Sequence, residues 1–306
     1  MTTSWLVRRL IYAAITLVVI SMVVFSLVRM TGDPVLLFLP QDATQADIDR
    51  VRRQFGFEDP LIQQYRRFLV SALRGDFGVS IKFQEPVLDV VTRRLPATVQ
   101  LASAAMLLTL AVALPAGIVS ALRRNSLIDR LTMTAVVLGQ SMPSYWLGVM
   151  LILLVSVQWR LLPAFGYGTL AHLVLPAVTL SAFFIARIAR LTRSGMLEVL
   201  KSDYIRTAEA KGLPVTSVVL KHALKNAGLP IITIVGIEFG TLLGGTVITE
   251  TIFAWPGLGR LAVDAIYGRD YPVVQTIVLL VSAIFVSLNL IVDVLYRWID
   301  PRIELG

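Results

Sequence analysis

Residues 203–230 read DYIRTAEAKGLPVTSVVLKHALKNAGLP. Apolar runs long enough to cross a bilayer flank this segment, yet it is dense in Lys and Arg and broken by Gly212 and Pro214. Its pattern is that of two short helices. Asp203 is placed to cap a helix through Tyr204, Ile205, Ala208 and Ala210, which Gly212 ends. Pro214 then opens a second helix, VTSVVLKHALKN, with Val218, Val219 and Ala223 apolar. Small Ala208 and flexible Gly212 permit close contact and a sharp turn. Two readings stay open: a basic cytoplasmic knob for another protein's groove, or an amphipathic segment lying on anionic lipid. Composition weighs them equally.

The flanking sequence places this segment in a membrane protein. The chain has 306 residues, 56% hydrophobic and 16% charged, with mean hydropathy +0.75. Soluble domains carry about 25% charge, and here the apolar excess comes in runs. The net charge is +8, from 28 basic and 20 acidic residues. The basic residues flank the apolar runs, which fits membrane orientation and gives no reason to expect nucleic acid as a partner. There are no cysteines, so disulfides, thiolate catalysis and Cys-type metal sites are excluded. The opening run, about twice the length of a signal-peptide core and without an A-x-A site after it, reads as an uncleaved first span.

Six transmembrane helices are expected, making an all-α polytopic fold. They lie near Leu10–Val28, Ala97–Leu122, Leu131–Val157 (containing Pro143), Leu175–Met196, Leu229–Thr251 and Thr276–Tyr296. Arg8 and Arg9, then Arg123, Arg124 and Arg130, then the run from Arg187 to Lys225, then Arg297 and Arg302 all fall on one side. Both termini are therefore expected in the cytoplasm. The opposite side carries residues 31–96, read as an extracytoplasmic helical insertion. There Ile48, Val51 and Phe55 share one face behind a Thr44 or Asp47 cap, and Ile62, Tyr65, Phe68, Leu69 and Leu73 share another between Pro60 and Gly75. The whole chain, 1–306, reads as one permease-like membrane domain, with residues 198–228 as its cytoplasmic loop.

Little in the chain can carry catalysis. His172 and His222 fall on opposite sides of the membrane and cannot share a metal. GQSMP puts Ser141 inside the third span, but no His or Lys base lies at that depth, so Ser141 reads as support for a kink at Pro143. No phosphate loop occurs, so the chain is not expected to hydrolyse ATP or to bind a cofactor or metal itself. In the fifth span Gly236, Gly240 and Gly244 recur every fourth residue, a pattern for close helix approach. Glu238, at mid-depth of the same span, either lines a water-filled path or bonds a neighbouring helix.

The opening segment resembles the EAA loop of binding-protein-dependent ABC transporter permeases, whose motif is EAA, three residues, Gly, nine residues, then I-x-L-P. Aligned on Gly212, the first three places hold Arg206, Thr207 and Ala208, and the last four hold His222, Ala223, Leu224 and Lys225. The Glu and the final Pro are absent, but DYIRTAEAKGL and KHALKNA are similar to forms of the dipeptide, oligopeptide and nickel branch. TGDP, DPLIQQY, GDFGVS, LPATVQLA, ETIFAWPGLGRL, RDYPVVQ and VDVLYRWIDPRI also resemble segments of that branch, in order along nearly the whole chain. The chain looks like the first, B-type, of two permease subunits in a bacterial inner membrane. The resemblance implies a coupling role for Asp203, Tyr204, Arg206, Thr207, Ala208, Gly212, His222, Ala223 and Leu224 in a cleft of a cytoplasmic ATPase. It implies a homologous second permease, two ATPase subunits holding ATP and Mg, and an extracytoplasmic solute-binding protein docking on residues 31–96. It implies import of di- or oligopeptides, glutathione-like compounds or chelated nickel. A stand-alone secondary transporter is the rival, although no inverted repeat is visible.

Overall fold

The computed structural model describes residues 3–30, 44–54 and 58–299. The TGDP motif, Phe55 and Arg302 lie outside them, as do the side chains of Ile48 and Val51. The described secondary-structure elements are helices: α1 Thr3–Met30, α2 Gln45–Gln54, α3 Leu61–Leu73, α4 Val87–Leu122, α5 Leu127–Ser141, α6 Ser144–Leu151, α7 Leu170–Val199, α8 Asp203–Ala210, α9 Val215–Ser217, α10 Leu224–Gly245, α11 Val247–Ile252, α12 Leu258–Tyr267 and α13 Tyr271–Ile299. Four helices, α1, α4, α7 and α13, are long and apolar enough to cross a bilayer unbroken. Two bent pairs bring the count to six if each is one span.

The bent pairs correct the expected spans. The third is not a single kinked helix: α5 and α6 meet at 99°. Pro143 drives Met142 into an extended conformation (φ −81°, ψ 130°) and then stands at the N-cap of α6. Ser141 therefore closes α5. Beyond α6 the chain continues as a π-turn, Ile152–Gln158. The fifth span begins and ends earlier than expected, because Thr246 separates α10 from α11. The second span extends back to Val87, which draws residues 87–96 of the presumed insertion into α4.

The chain divides into two compact units. In the first, Met1–Pro96 with Gly257–Val286, the Phe25 ring meets Tyr65 and Phe68 at centroid distances of 5.5 and 5.7 Å. The Tyr65 hydroxyl lies 2.8 Å from that of Ser21. Only the middle of the expected α3 stripe is engaged, since Ile62 and Leu73 remain exposed. Gly75 (φ +79°) ends the element as expected. Val87, Val90 and Val91 pack with Leu258, Leu261, Ala265, Val273 and Ile277. Over this core the Asp270 carboxylate accepts from the Ser80 hydroxyl at 2.5 Å and from the Lys82 N–H at 3.1 Å. GDFGVS and RDYPVVQ, remote in sequence, thus meet.

In the second unit, Ala97–Pro256 with Ser287–Gly306, LPATVQLA meets ETIFAWPGLGRL in the same manner. Thr98 donates to buried Glu250 at 2.7 Å, and the Trp255 indole N–H donates to the Ala97 carbonyl at 2.8 Å. Trp255 is fully buried and stands edge-on to Tyr167 at 4.8 Å. α7 is the axis of this unit, with buried residues along its whole length.

Candidate functional site

The 203–230 segment forms the expected turn. α8 ends in a paired-carbonyl cap: the Gly212 N–H donates to Glu209 O (2.9 Å) and the Leu213 N–H to Ala208 O (3.4 Å). This cap needs a left-handed residue, and Gly212 has φ +73° with open space where a Cβ would stand. Pro214 (φ −62°, ψ 144°) then precedes α9. The expected capping by Asp203 is corrected, because extended Ser202 occupies the N-cap position. Asp203 is instead the first helical residue, where its charge opposes the helix dipole, and it pairs with Arg206 at 3.5 Å. The second helix is not an independent element either. It winds as a π-turn over Val218–Ala223 and runs into α10 with a 59° bend between Val215–Gly228 and Pro230–Gly245. A π-turn admits an extra residue per ring and often marks functional sites.

The segment divides into an inner and an outer face. Ile205, Ala208, Val218, Val219, Ala223 and Ala227 are buried against Ala121 of α4 and Met196 of α7, with Leu224 partly buried beside them. Ala208 is thus part of this chain's own core, and the expectation that it offers a contact face is corrected. Exposed are Tyr204, Arg206, Thr207, Leu213, Val215 and Leu220, while His222 is half-buried. Sequence alone placed small residues at a contact but could not say whose.

Above this cluster, α7 carries two arginines in ion pairs. Arg193 grips Asp129 with two hydrogen bonds, Nε to Oδ1 at 2.8 Å and Nη2 to Oδ2 at 2.7 Å. Asp129 also accepts from the Ser120 hydroxyl and from the Asn125 N–H (2.9 Å). Asn125 adopts φ +64°, which Asn tolerates, and Ser126 caps α5 by accepting the Asp129 N–H at 3.2 Å. Nearby, a Cβ on Gly117 would lie 2.6 Å from Thr192 Cβ, so α4 and α7 cross in close contact. Arg187 approaches Glu238 Oε1 of α10 at 2.5 Å, but too obliquely for a hydrogen bond. The Glu238 side chain is 1% exposed and that of Arg187 is 52% exposed.

Of the glycine stripe, only Gly236 has a proven close neighbour. A Cβ there would lie 2.2 Å from Val292 Cγ2 of α13, whereas Gly244 faces open space; Gly240 is buried. Ser141 is exposed and donates to Val137 O, and His172 pairs with the Thr169 hydroxyl in the first turn of α7. Around the α5–α6 break lies a cavity of about 410 Å³, bordered by Gln140, Ser141, Ser144, Thr179, Phe183 and Thr241 among others. The sequence reading missed Gly117, Ser120, Asp129 and Arg193. The Ser126-x-x-Asp129 cap was a visible signal for one of them.

A helical protein with up to six spans, a basic turn segment between two of them and paired charges inside them has the build of a transporter's membrane subunit. The chain belongs to the family of binding-protein-dependent transport system inner membrane components, matched over residues 113–305, with the N-terminal part of that family matched over residues 2–102. It is 43% identical over 302 residues to the glutathione transport system permease protein GsiC of Escherichia coli K12, covering 98% of this chain and 99% of that one. It is 41% identical over 309 residues to the probable peptide ABC transporter permease protein y4tP of Sinorhizobium fredii NGR234, with the same coverage. A solved inward-facing form of the MetNI methionine ABC transporter shares the fold, with a TM-score of 0.58 at 22% identity over 69% of this chain and 96% of that one.

Proposed function

We propose that the chain is one of two permease subunits of an ATP-driven importer for peptides or a related small solute such as glutathione. Family membership and the relatives' names support this reading over a stand-alone transporter. The second permease would complete the path, two ATPase subunits would bind ATP and Mg, and a solute-binding protein would deliver cargo to residues 31–96. Both termini would be cytoplasmic. The carrying observation for coupling is the 203–225 turn: Gly212 fixes its angle, its inner face is anchored on α4 and α7, and its outer face presents Tyr204, Leu213, Val215 and Leu220. Apolar side chains exposed on a basic, rigid turn suit a protein cleft better than water.

The test is a cysteine at Tyr204, in a chain without native thiols. In the assembled transporter it should crosslink to a cysteine in the ATPase cleft, with a yield that changes with nucleotide. Free labelling of that cysteine in every nucleotide state, with transport intact, would reject the coupling role. Gly212→Pro should leave membrane insertion intact and uncouple transport, because proline cannot adopt φ +73°.

A further inference from the structure

The exposed residues in the second half of α7 include Phe183, Arg187, Arg190, Ser194 and Glu198. Their spacing of four, three, four and four residues is that of one helix face. That face is unlike the exposed face of α1, where Ile11, Ile15, Val19 and Val23 suit lipid. At 1.5 Å per residue α7 is about 44 Å long, and Arg187 lies about 18 Å from its Val199 end. A hydrocarbon core of about 30 Å cannot be placed on this helix without enclosing Arg187. At the placement nearest the edge Arg187 lies about 4 Å inside the core, a depth from which arginine can reach the headgroups, but its guanidinium is held at buried Glu238 and so faces protein or a water-filled path.

The local charge chooses between those surroundings. Arg187 and Arg190 contribute two positive charges and Glu238 removes one. Arg190 spends Nη2 on the neutral Gln140 side chain at 2.9 Å. Glu198 stands about 12 Å further along the helix, beyond a Debye length of about 8 Å. Among the described residues the stripe therefore keeps one uncompensated positive charge, with guanidinium N–H groups available for a planar anion. Gln140 and Phe183 also border the 410 Å³ cavity, and no ionisable side chain lines it. A charged patch thus adjoins an uncharged, mostly apolar cavity whose lining includes the hydrogen-bonding side chains of Gln140, Ser141, Thr179 and Thr241.

We propose that Arg187 and Arg190 form a carboxylate-binding station on the transport path, with the adjoining cavity holding the uncharged amide portion of the solute. Glu238 is a positioning residue: it orients Arg187 and keeps the net charge low enough for release. This rests on the permease reading and names what its path recognises, a small solute with a free carboxylate and amide groups.

Ser141→Cys provides the probe, since Ser141 is exposed, borders the cavity and adjoins Gln140. In the assembled transporter in membrane vesicles, this thiol is labelled with an anionic sulfonatoethyl or a cationic trimethylammonioethyl methanethiosulfonate. Relative to a free thiol in solution, the ratio of anionic to cationic labelling should rise about tenfold, because one positive charge at about 6 Å in water speeds one reagent and slows the other by about threefold each. Arg187→Gln with Arg190→Gln should erase the preference, and Arg187→Lys with Arg190→Lys should retain it. Acetyl-dialanine at tens of millimolar should slow labelling only when the arginines are present, and its C-terminal amide should not. An unchanged preference after loss of both arginines overturns the proposal. So does equal protection by acid and amide, no protection by either, or a thiol reached only after the subunits are separated, which would mean the second subunit covers the stripe. The labelling needs no ATP turnover, so its failure leaves the Tyr204 crosslink intact, and failure of that crosslink leaves the labelling pattern intact.

Discussion

Arg193 and Arg187 stand six residues apart on α7 and hold their carboxylates in opposite ways. Asp129 receives hydrogen bonds from Arg193 twice, from Ser120 and from the Asn125 backbone. Its partners come from α4, the α4–α5 turn and α7, so one carboxylate closes a three-way junction. Glu238 is as deeply buried but, among the described residues, meets only Arg187, off axis, and half of that arginine is exposed. A satisfied buried network rigidifies, whereas a partly satisfied one leaves free energy to be gained by rearrangement. The α4–α5–α7 junction is therefore the fixed frame, and the α7–α10 contact is where a second arrangement comes at low cost.

Substitutions can break this contrast. The largest expected effect is at the junction: Asp129→Ala should destabilise the purified protein by about 3 kcal/mol, the low end for a broken buried pair because Arg193 keeps some access to water. Thermal unfolding in detergent measures it, and a shift no larger than that of Glu238→Gln would erase the distinction. Next, Gly117→Ala should cost about 2 kcal/mol by overpacking against Thr192 and the Ala189 carbonyl, read in the same unfolding assay. Glu238→Gln keeps the shape but removes the charge, and should change stability by about 1 kcal/mol or less. It should nevertheless alter transport by the assembled complex, so normal transport in that variant would show the pair to be structural filler. Smallest of all, Gly244→Ala should stabilise by about 0.5 kcal/mol through helix propensity alone. Gly236→Ala, against Val292, should not share that gain.

An all-α plan of four to six spans was legible because hydropathy accumulates over some twenty residues and survives small errors at the ends. The tight turn was legible because Gly212 and Pro214 have strong local preferences. Other features depend on what the chain meets elsewhere. Pro143 made a kink legible, but not that extended Met142 would turn the chain by 99°. Ser202 and Asp203 are both good caps, and backbone geometry alone decided between them. Ala208 showed that a small residue faces something close, without showing that Ala121 and Met196 of this same chain lie in that cluster. Ser80 and Asp270 are 190 residues apart, and nothing local in either motif names its partner. Arg187 falls inside the expected fourth span, Leu175–Met196, and also opens the run of basic residues read as cytoplasmic, so composition alone did not fix its depth. The length of α7 means that a hydrocarbon core of about 30 Å set anywhere along it includes Arg187.

Because the second arm of the turn segment is the head of α10, the segment and Glu238 belong to one bent crank. Its elbow is at Gly228–Pro230, where a proline withholds an N–H and a glycine leaves no side chain to brace the corner. From Pro230 to Glu238 the crank is about 12 Å long. A swing of about 10° at the elbow would carry the carboxylate about 2 Å, by the geometry of a straight helix at 1.5 Å per residue. The ion pair spans only 2.5 Å, so a displacement of that size would separate Arg187 from Glu238 without unwinding a turn. A swing at the elbow would thus register at the far end of the rod as a change in the charge balance around Arg187.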